Sequence, residues 1–177
     1  MFYKRTKFLE FSSFVDENHI QGKVNTTIKL GLYYNDNLVS VIGFSKKRNG
    51  IGHSYDNYYE LVRFCSKLNY NIIGGFSKLL QYFIKNNNPG KIVTYADIRW
   101  SNLRNNLYEK NGFIYSHKTT PNYWYINQNK RHHRLKYTKY KLIKEGYDKN
   151  QTENNIMTER KIYRIYDCGS LVYSTGP

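Results

Sequence analysis

Acidic residues are scarce in this chain: 13 Asp+Glu face 28 Lys+Arg across 177 residues, a formal charge of +15 at pH 7. Carboxylates so few and scattered argue against metal-dependent nucleic-acid cleavage, which needs them clustered or needs a His-Asn-His constellation. The adjacent pair His132-His133 points its rings apart in a strand, and Glu159-Arg160-Lys161 has no evident Asp companion. Cysteine is nearly missing too. Cys65 and Cys168 form neither a disulfide framework nor a zinc spacing, so reduced thiols and a cytosolic setting are expected, with Cys65 in a core strand. No metal site is expected. The opening MFYKRTKFLEFSSF lacks the apolar centre of a secretory signal. No stretch approaches the ~20 apolar residues of a membrane span. A soluble protein with no membrane partner follows. With only 3 prolines, no Pro-rich linker divides the chain, and there are no internal repeats.

What remains is a foldable, aromatic-rich, basic sequence. Apolar residues make up 40% and aromatics 17%, enough for one domain with a real core. Tyrosine, at 19, supplies apolar area with a polar tip and suits a wet binding surface. The charge imbalance favours a polyanionic partner, and nucleic acid is the expected one.

Residues 1–22 read as a short helix closing at Gly22, with His19 near its end, where a cation is favoured and a capping or packing role is expected rather than catalysis. Residues 26–47 form two β-rich runs around Asn35-Asp36-Asn37, a hairpin signal. A loop from Arg48 to Asn57, holding His53, leads to a third strand at 58–68. There Tyr59, Leu61, Arg63 and Cys65 alternate with Glu60, Val62, Phe64 and Ser66, a pattern that predicts a central strand. Phe76, Leu79, Leu80 and Phe83 fall at the i, i+3, i+4, i+7 spacing of an amphipathic helix, which Asn-Pro-Gly ends. KIVTYAD is a buried strand, RWSNLRNNLYEK a second helix, and NGFIYSHKTT and NYWYINQ two strands joined at Pro121. From residue 26 the order is β-β-β-α-β-α-β-β around a mixed sheet, hence an α/β fold. Residues 130–144 carry seven Lys or Arg and no acid. A Thr-capped helix over 152–160 and a closing strand or hairpin complete the chain. The expected division is a domain over 1–129 and a basic α+β subdomain over 130–177, packed on it.

The stretch LYEKNGF, residues 107–113, ends a helix at Asn111-Gly112 and returns at once to a strand. Together with the order of elements, it resembles the last motif of GCN5-related N-acetyltransferases, the GNAT superfamily. The resemblance implies a mixed central sheet flanked by helices and, as cofactor, acetyl-CoA or another acyl-CoA. In that family a glycine-bearing turn after the central strand binds the pyrophosphate of the cofactor, as a helix N-terminus with unpaired amides should. The matching residues here are Asn71, Ile72, Ile73, Gly74, Gly75 and Phe76, with Ser77 and Lys78 as further contacts. Asn71 replaces a Gln or Arg, and Phe76 stands where Gly or Ala is usual, so its side chain threatens the phosphates. Tyr108 matches the tyrosine that protonates the departing thiolate. Its bland reading is a packed tyrosine at a helix end. Glu60 matches positions used for the general base. Asp97 is the other candidate base, or equally the N-cap of the helix after it.

Most of the chain is also similar to a phage-type domain of this superfamily found attached to homing endonucleases, and VTYAD with the Tyr-bearing stretch is similar to Mom, which modifies adenine in DNA. The resemblance implies a group transferase acting on nucleic acid, DNA by that analogy, in the host cytoplasm if phage-encoded. Phosphate contacts are expected from Arg99, Lys130, Arg131, Arg134, Lys136, Lys139 and Lys141. Base stacking is expected from Tyr123, Trp124 and Tyr125, of which one or two are expected to serve instead as the core side of an alternating strand. The alternative is a non-catalytic DNA-binding module of the same fold. Transfer to a protein amine is a further possibility that the sequence leaves open.

Overall fold

The computed structural model describes residues 2–46 and 57–175. The loop expected from Arg48, with His53, lies outside the described residues up to residue 56. The chain runs β1 (Phe2–Arg5), α1 (Phe8–Asn18), β2 (Ile28–Tyr34), β3 (Asn37–Lys46), β4 (Tyr58–Ser66), α2 (Gly75–Asn87), β5 (Lys91–Asp97) and β6 (Ile114–Lys118). It continues with β7 (Tyr123–Asn127), β8 (Lys130–His133), α3 (Lys139–Lys144), α4 (Glu153–Glu159), β9 (Tyr163–Tyr166) and β10 (Ser170–Ser174). Among the described residues these strands form a seven-stranded sheet, β1-β2-β3-β4-β5-β10-β6, and a three-stranded sheet, β8-β7-β9. No helix among the described residues is long and apolar enough to cross a membrane.

Two compact units result. The first comprises residues 1–96, 100–117 and 171–177; the second comprises 97–99 and 118–170. The boundary expected after residue 129 falls in the turn between β7 and β8, two strands paired from Trp124↔His133 to Asn127↔Lys130. A cut there would divide a ladder, and β10 belongs to the first unit's sheet instead of the basic extension.

The first unit follows its hydrophobic pattern closely. Asn35 and Asp36 take φ of 46° and 59°, the left-handed pair of a two-residue hairpin between β2 and β3. Helix α1 covers one face of the sheet, where Phe11, Phe14 and Val15 pack on Val41 and Cys65. Burial there pushes the Cys65 thiol up to about 12. Helix α2 buries the four residues that its spacing selects, Phe76, Leu79, Leu80 and Phe83. The Phe83 ring stacks on Phe44 at 3.6 Å and meets Tyr59 edge-on. In the second unit, Tyr125, Tyr137, Leu142, Ile156, Met157 and Ile162 make a separate core. Thr152 caps α4 by accepting from the Asn155 N–H, as the sequence predicts.

Several expectations are corrected. Helix α1 stops at Asn18 rather than Gly22, and Phe2–Arg5 forms an edge strand. His19 has the capping and packing role expected of it, as C-cap of α1 with its N–H bonded to Val15 O and its Nδ1 accepting from the Gln21 N–H. Burial, then the nearby Arg63 charge, lower its pKa and disfavour the cation. The helix expected over 99–110 is absent apart from a 3-10 turn at Glu109–Asn111. Asn106 is the physical reason, since its side chain takes over the backbone's bonding. Its Oδ1 accepts from the Tyr108 and Glu109 amides, and its Nδ2 donates to Asn102 O. The strands joined at Pro121 belong to different sheets, β6 to the larger and β7 to the smaller. β9 and β10 likewise part company, so they make no hairpin.

Strand β4 holds the most consequential difference. Phe44 pairs with Leu61 and Gly43 with Arg63, leaving Val62 as an extra residue. This β-bulge reverses the alternation. Tyr59 and Leu61 face α2, but Arg63 and Cys65 face α1, while Phe64 crosses to meet Phe76 of α2 edge-on at 5.0 Å. The single face expected to hold Tyr59, Leu61, Arg63 and Cys65 is therefore split between both helix layers.

Candidate active site

The parallel pairing of β4 with β5 runs from Tyr58↔Lys91 to Leu61↔Thr94 and ends there. Past that rung, Phe64 and Ser66 on the outer half of β4 line a cavity of about 440 Å³. The turn into α2 forms a second wall, through Asn71, Ile72, Gly74, Gly75, Phe76 and Ser77. Leu107, Lys110 and Asn111, from the stretch around the 3-10 turn, form a third.

The α2 wall carries the positive end of a helix. Gly74 caps the helix at φ 71°, a left-handed conformation that glycine adopts without strain, and a Cβ there would meet nothing within 4 Å. The Gly75 N–H bonds back to Ile72 O and the Lys78 N–H to Gly74 O. Between them, the Phe76 and Ser77 amides are the first-turn donors left for a ligand. No acid stands in the first turn of α2, so nothing there neutralises the positive end of the helix. Lys110 adds a full charge from across the cavity, and none of its described lining residues is acidic. The Ser77 hydroxyl donates to Asn111 Oδ1 at 2.6 Å and ties these two walls together.

Phe76 does not obstruct this wall. It is 3% exposed, with its ring against Phe64 and, at 5.9 Å, Tyr108. The side chain is core, and its backbone amide is what the turn presents. Gly75 also looks inward: a Cβ there would sit 3.0 Å from Ile72 Cγ2 and 3.2 Å from Ser40 Oγ.

Tyr108 lies behind Phe76 in an aromatic nest, stacked on Tyr173 at 5.5 Å and edge-on to Phe113 at 5.8 Å. Burial raises its pKa, opposed in part by a hydrogen bond with the Thr94 side chain. Thr94 also donates to Leu61 O, so the phenol reaches the last rung of the β4–β5 ladder, where the strands part. The Tyr173 hydroxyl donates to Leu103 O and accepts from Asn106 Nδ2, fixing the ring that backs Tyr108.

The other candidates are placed differently. Asn71, Gly74, Gly75 and Ser77 line the cavity, whereas Ile73, 82% exposed, and Lys78 are not among its walls. Glu60 neighbours Leu61 on β4 and so points to the opposite face from Thr94 and Tyr108, where its charge raises the Tyr95 pKa after burial has done so. Asp97 belongs to the second unit and is gripped by Arg99, whose Nη2 lies 2.6 Å from Asp97 Oδ2. No helix follows for Asp97 to cap. Its Oδ1 accepts instead from the Arg99 N–H, and Arg99 is thereby committed to an ion pair. Sequence reasoning missed Lys110, Asn111, Phe64 and Ser66 as cavity walls, and Thr94 and Tyr173 as supports of Tyr108. Lys110 and Asn111 lie within LYEKNGF, where the sequence signals only a helix end.

Within the second unit, Tyr123 and Tyr125 turn inward and both hydroxyls donate to Glu153 Oε1, at 3.0 and 2.7 Å. Tyr123 is thus not a free stacking surface, and Arg134 lies over its ring. Trp124 points the other way, with the Arg131 guanidinium 4.9 Å from its ring. Lys136 contacts His132 Nδ1 and Lys141 donates to Leu135 O, while Lys130 and Lys139 are exposed.

No family model matches this sequence, and no curated protein does. Among solved structures, a Bacillus subtilis acetyltransferase in complex with CoA is 13% identical; the match covers 99% of this chain and 97% of that one at a TM-score of 0.56. An N-acetyltransferase, PaiA, from Thermoplasma acidophilum in complex with coenzyme A matches at 14% identity and a TM-score of 0.44 over 84% of this chain. The chain spans 60% of that protein's length. A GNAT family acetyltransferase from Elizabethkingia anophelis with acetyl-CoA bound matches at 12% identity and a TM-score of 0.48, covering 97% of this chain and 84% of that one. The fold is therefore GNAT-like, a mixed central sheet flanked by helices.

Proposed function

We propose that the protein is an acyl-CoA-dependent N-acyltransferase whose acceptor is carried by nucleic acid. The observation that carries the donor half is the cavity at the α2 N-terminus, with open first-turn amides, Lys110 opposite and no acid in its described lining. These residues fit an acyl-CoA. Phe76 and Ser77 N–H groups with Lys110 would hold its phosphates. When bound, the cofactor supplies an activated thioester carbonyl. The chain's own residues handle the protons. Tyr108, at the fork of β4 and β5, would supply a proton to a departing thiolate, a task for which a phenol kept neutral by burial is suited. Glu60, one residue before the fork on the other face, receives the proton of the acceptor amine.

The nucleic-acid half rests on the charge of +15 and on the Lys- and Arg-rich segment over 130–144. It extends the reading to base modification of the Mom kind. The competing reading, a DNA-binding module that has lost the cofactor, drew on the bulk of Phe76, and the inward turn of that ring weakens it.

Calorimetric titration with acetyl-CoA and CoA tests the donor site. Saturable binding is expected, weakened roughly tenfold or more in Lys110→Glu. Absence of binding at millimolar ligand sinks the acyl-CoA reading. Incubation of the protein with labelled acetyl-CoA and oligonucleotides or amine-bearing proteins then identifies the acceptor, and label on protein alone removes the nucleic-acid half.

A further inference from the structure

We infer that the outer face of the three-stranded sheet binds single-stranded nucleic acid by stacking bases on Trp124 and Tyr163. The inference rests on the nucleic-acid reading above and is independent of the donor site.

Register defines the face. His133, Trp124 and Ile165 stand abreast across the sheet, and Arg131, Ile126 and Tyr163 form the next row. Tyr123, Tyr125 and Arg164 lie on the opposite face, turned to the unit's own core. The outer face is not consumed in the same way. Tyr163 is 59% exposed and Ile165 48%, Arg131 and His133 are exposed, and Trp124 and Ile126 are half-buried. A sheet face that combines two aromatic rings, two β-branched aliphatics and a guanidinium is poorly explained as a solvated surface.

Its charge is arranged along one margin. β8 is an edge strand and reads Lys130-Arg131-His132-His133, with Arg134 directly after it. The aromatics occupy the middle strand and the far one. Of the basic residues, Arg131 and His133 face outward, whereas Lys130 and His132 share the Tyr125 side and Arg134 lies over Tyr123. A backbone following β8 would therefore place its phosphates against Arg131 at the strand edge while its bases lie across β7 and β9. Trp124 and Tyr163 are diagonal neighbours, a relation that places side chains roughly 7–8 Å apart. That interval suits two successive unstacked bases of an extended strand. Base faces are available for such stacking only in a single strand, because a duplex hides them. Arg131 already lies over the Trp124 ring, and a base sandwiched with them would gain from both.

The chain holds two tryptophans, so Trp100→Phe leaves Trp124 as the sole reporter. Its fluorescence should be quenched on titration with a short oligothymidylate and much less by a duplex of equal length. In anisotropy with labelled strand, Trp124→Ala and Tyr163→Ala should each weaken binding roughly 5- to 100-fold. Tyr163→Phe should bind as the parent does, and Arg131→Ala should flatten the salt dependence. Circular dichroism checks that each variant folds; if Trp124→Ala does not, Tyr163→Ala and the quenching of Trp124 decide. Strand binding that neither aromatic variant affects, without quenching, overturns this face but leaves the nucleic-acid reading. Duplex binding as tight as strand binding, or quenching only by anionic vesicles, also overturns it. Binding to no nucleic acid removes both readings, whatever the calorimetry with acetyl-CoA shows.

Discussion

The Ser77 hydroxyl donates to Asn111 Oδ1 at 2.6 Å, and Asn111 Nδ2 donates to Leu107 O, so the first turn of α2 is pinned to the 3-10 turn that carries Lys110. The pair is exposed, and its worth lies in holding Lys110 at a fixed separation from the α2 N-terminus. Ser77→Ala should weaken CoA binding roughly two- to tenfold. Thermal unfolding should stay close to the parent's. A fall in melting temperature with unchanged affinity would show a purely structural link.

Tyr108→Phe keeps the ring in its nest against Tyr173 and Phe113 but removes the proton. The expected result is a kcat lower by roughly 10² to 10⁴ with little change in KM. Because burial raises the pKa of this phenol, the alkaline limb that it controls should lie above the ordinary tyrosine range and vanish in the variant. Equal activity of variant and parent across pH would remove Tyr108 from proton transfer.

Glu153 holds the second unit's polar interior: Tyr123 and Tyr125 donate to its Oε1, and Arg164 Nη2 lies 3.4 Å from the same atom. Glu153→Gln cannot satisfy all three groups and should cost roughly 1–3 kcal/mol in denaturant unfolding. Burial first, and the bond to Glu153 next, push the Tyr125 phenol up to about 12. A raised phenol pKa favours the folded state below the ordinary value. That contribution is lost as pH climbs towards 12. Phenolate absorbance titration of the variant should show Tyr125 ionising earlier.

His19 works in the opposite pH window. Its folded pKa is lowered, by burial and then Arg63, so the unfolded chain binds the proton more readily. Its contribution to stability is complete above the ordinary histidine value and is lost as pH falls below it. His19→Gln should flatten the dependence of unfolding free energy on pH between about 7 and 5. An unaltered slope in that range would assign the dependence elsewhere.

Local signals were legible where one residue decides the conformation. The Asn35-Asp36 turn, the spacing of Phe76, Leu79, Leu80 and Phe83, and the Thr152 cap could all be read from the sequence. Tyr108, Gly74 and Ser77 were singled out by motif, and they sit in or behind the cavity wall. The rest depended on tertiary pairing. Nothing in YYELVRFCS marks Val62 as the extra residue, because the bulge appears only against β3. RWSNLRNNLYEK looks helical until Asn106 is seen bonding its own backbone. Phe76 was judged by its place in a motif, whereas Phe64 and Tyr108 determine where its ring goes.

The place of β10 between β5 and β6 has a consequence for synthesis. Both flanking strands, and all of residues 119–169, leave the ribosome before β10 does. Until it arrives β5 and β6 each lack the neighbour between them, and Tyr173 is not there to back Tyr108. Closing that gap is a long-range event, made slow by the loop that must first be spanned. The nascent chain therefore presents an open sheet edge, a hazard for aggregation, while the intervening unit is still being made. The aromatic nest around Tyr108 becomes complete only when β10 docks, so its assembly waits on a pairing distant in sequence.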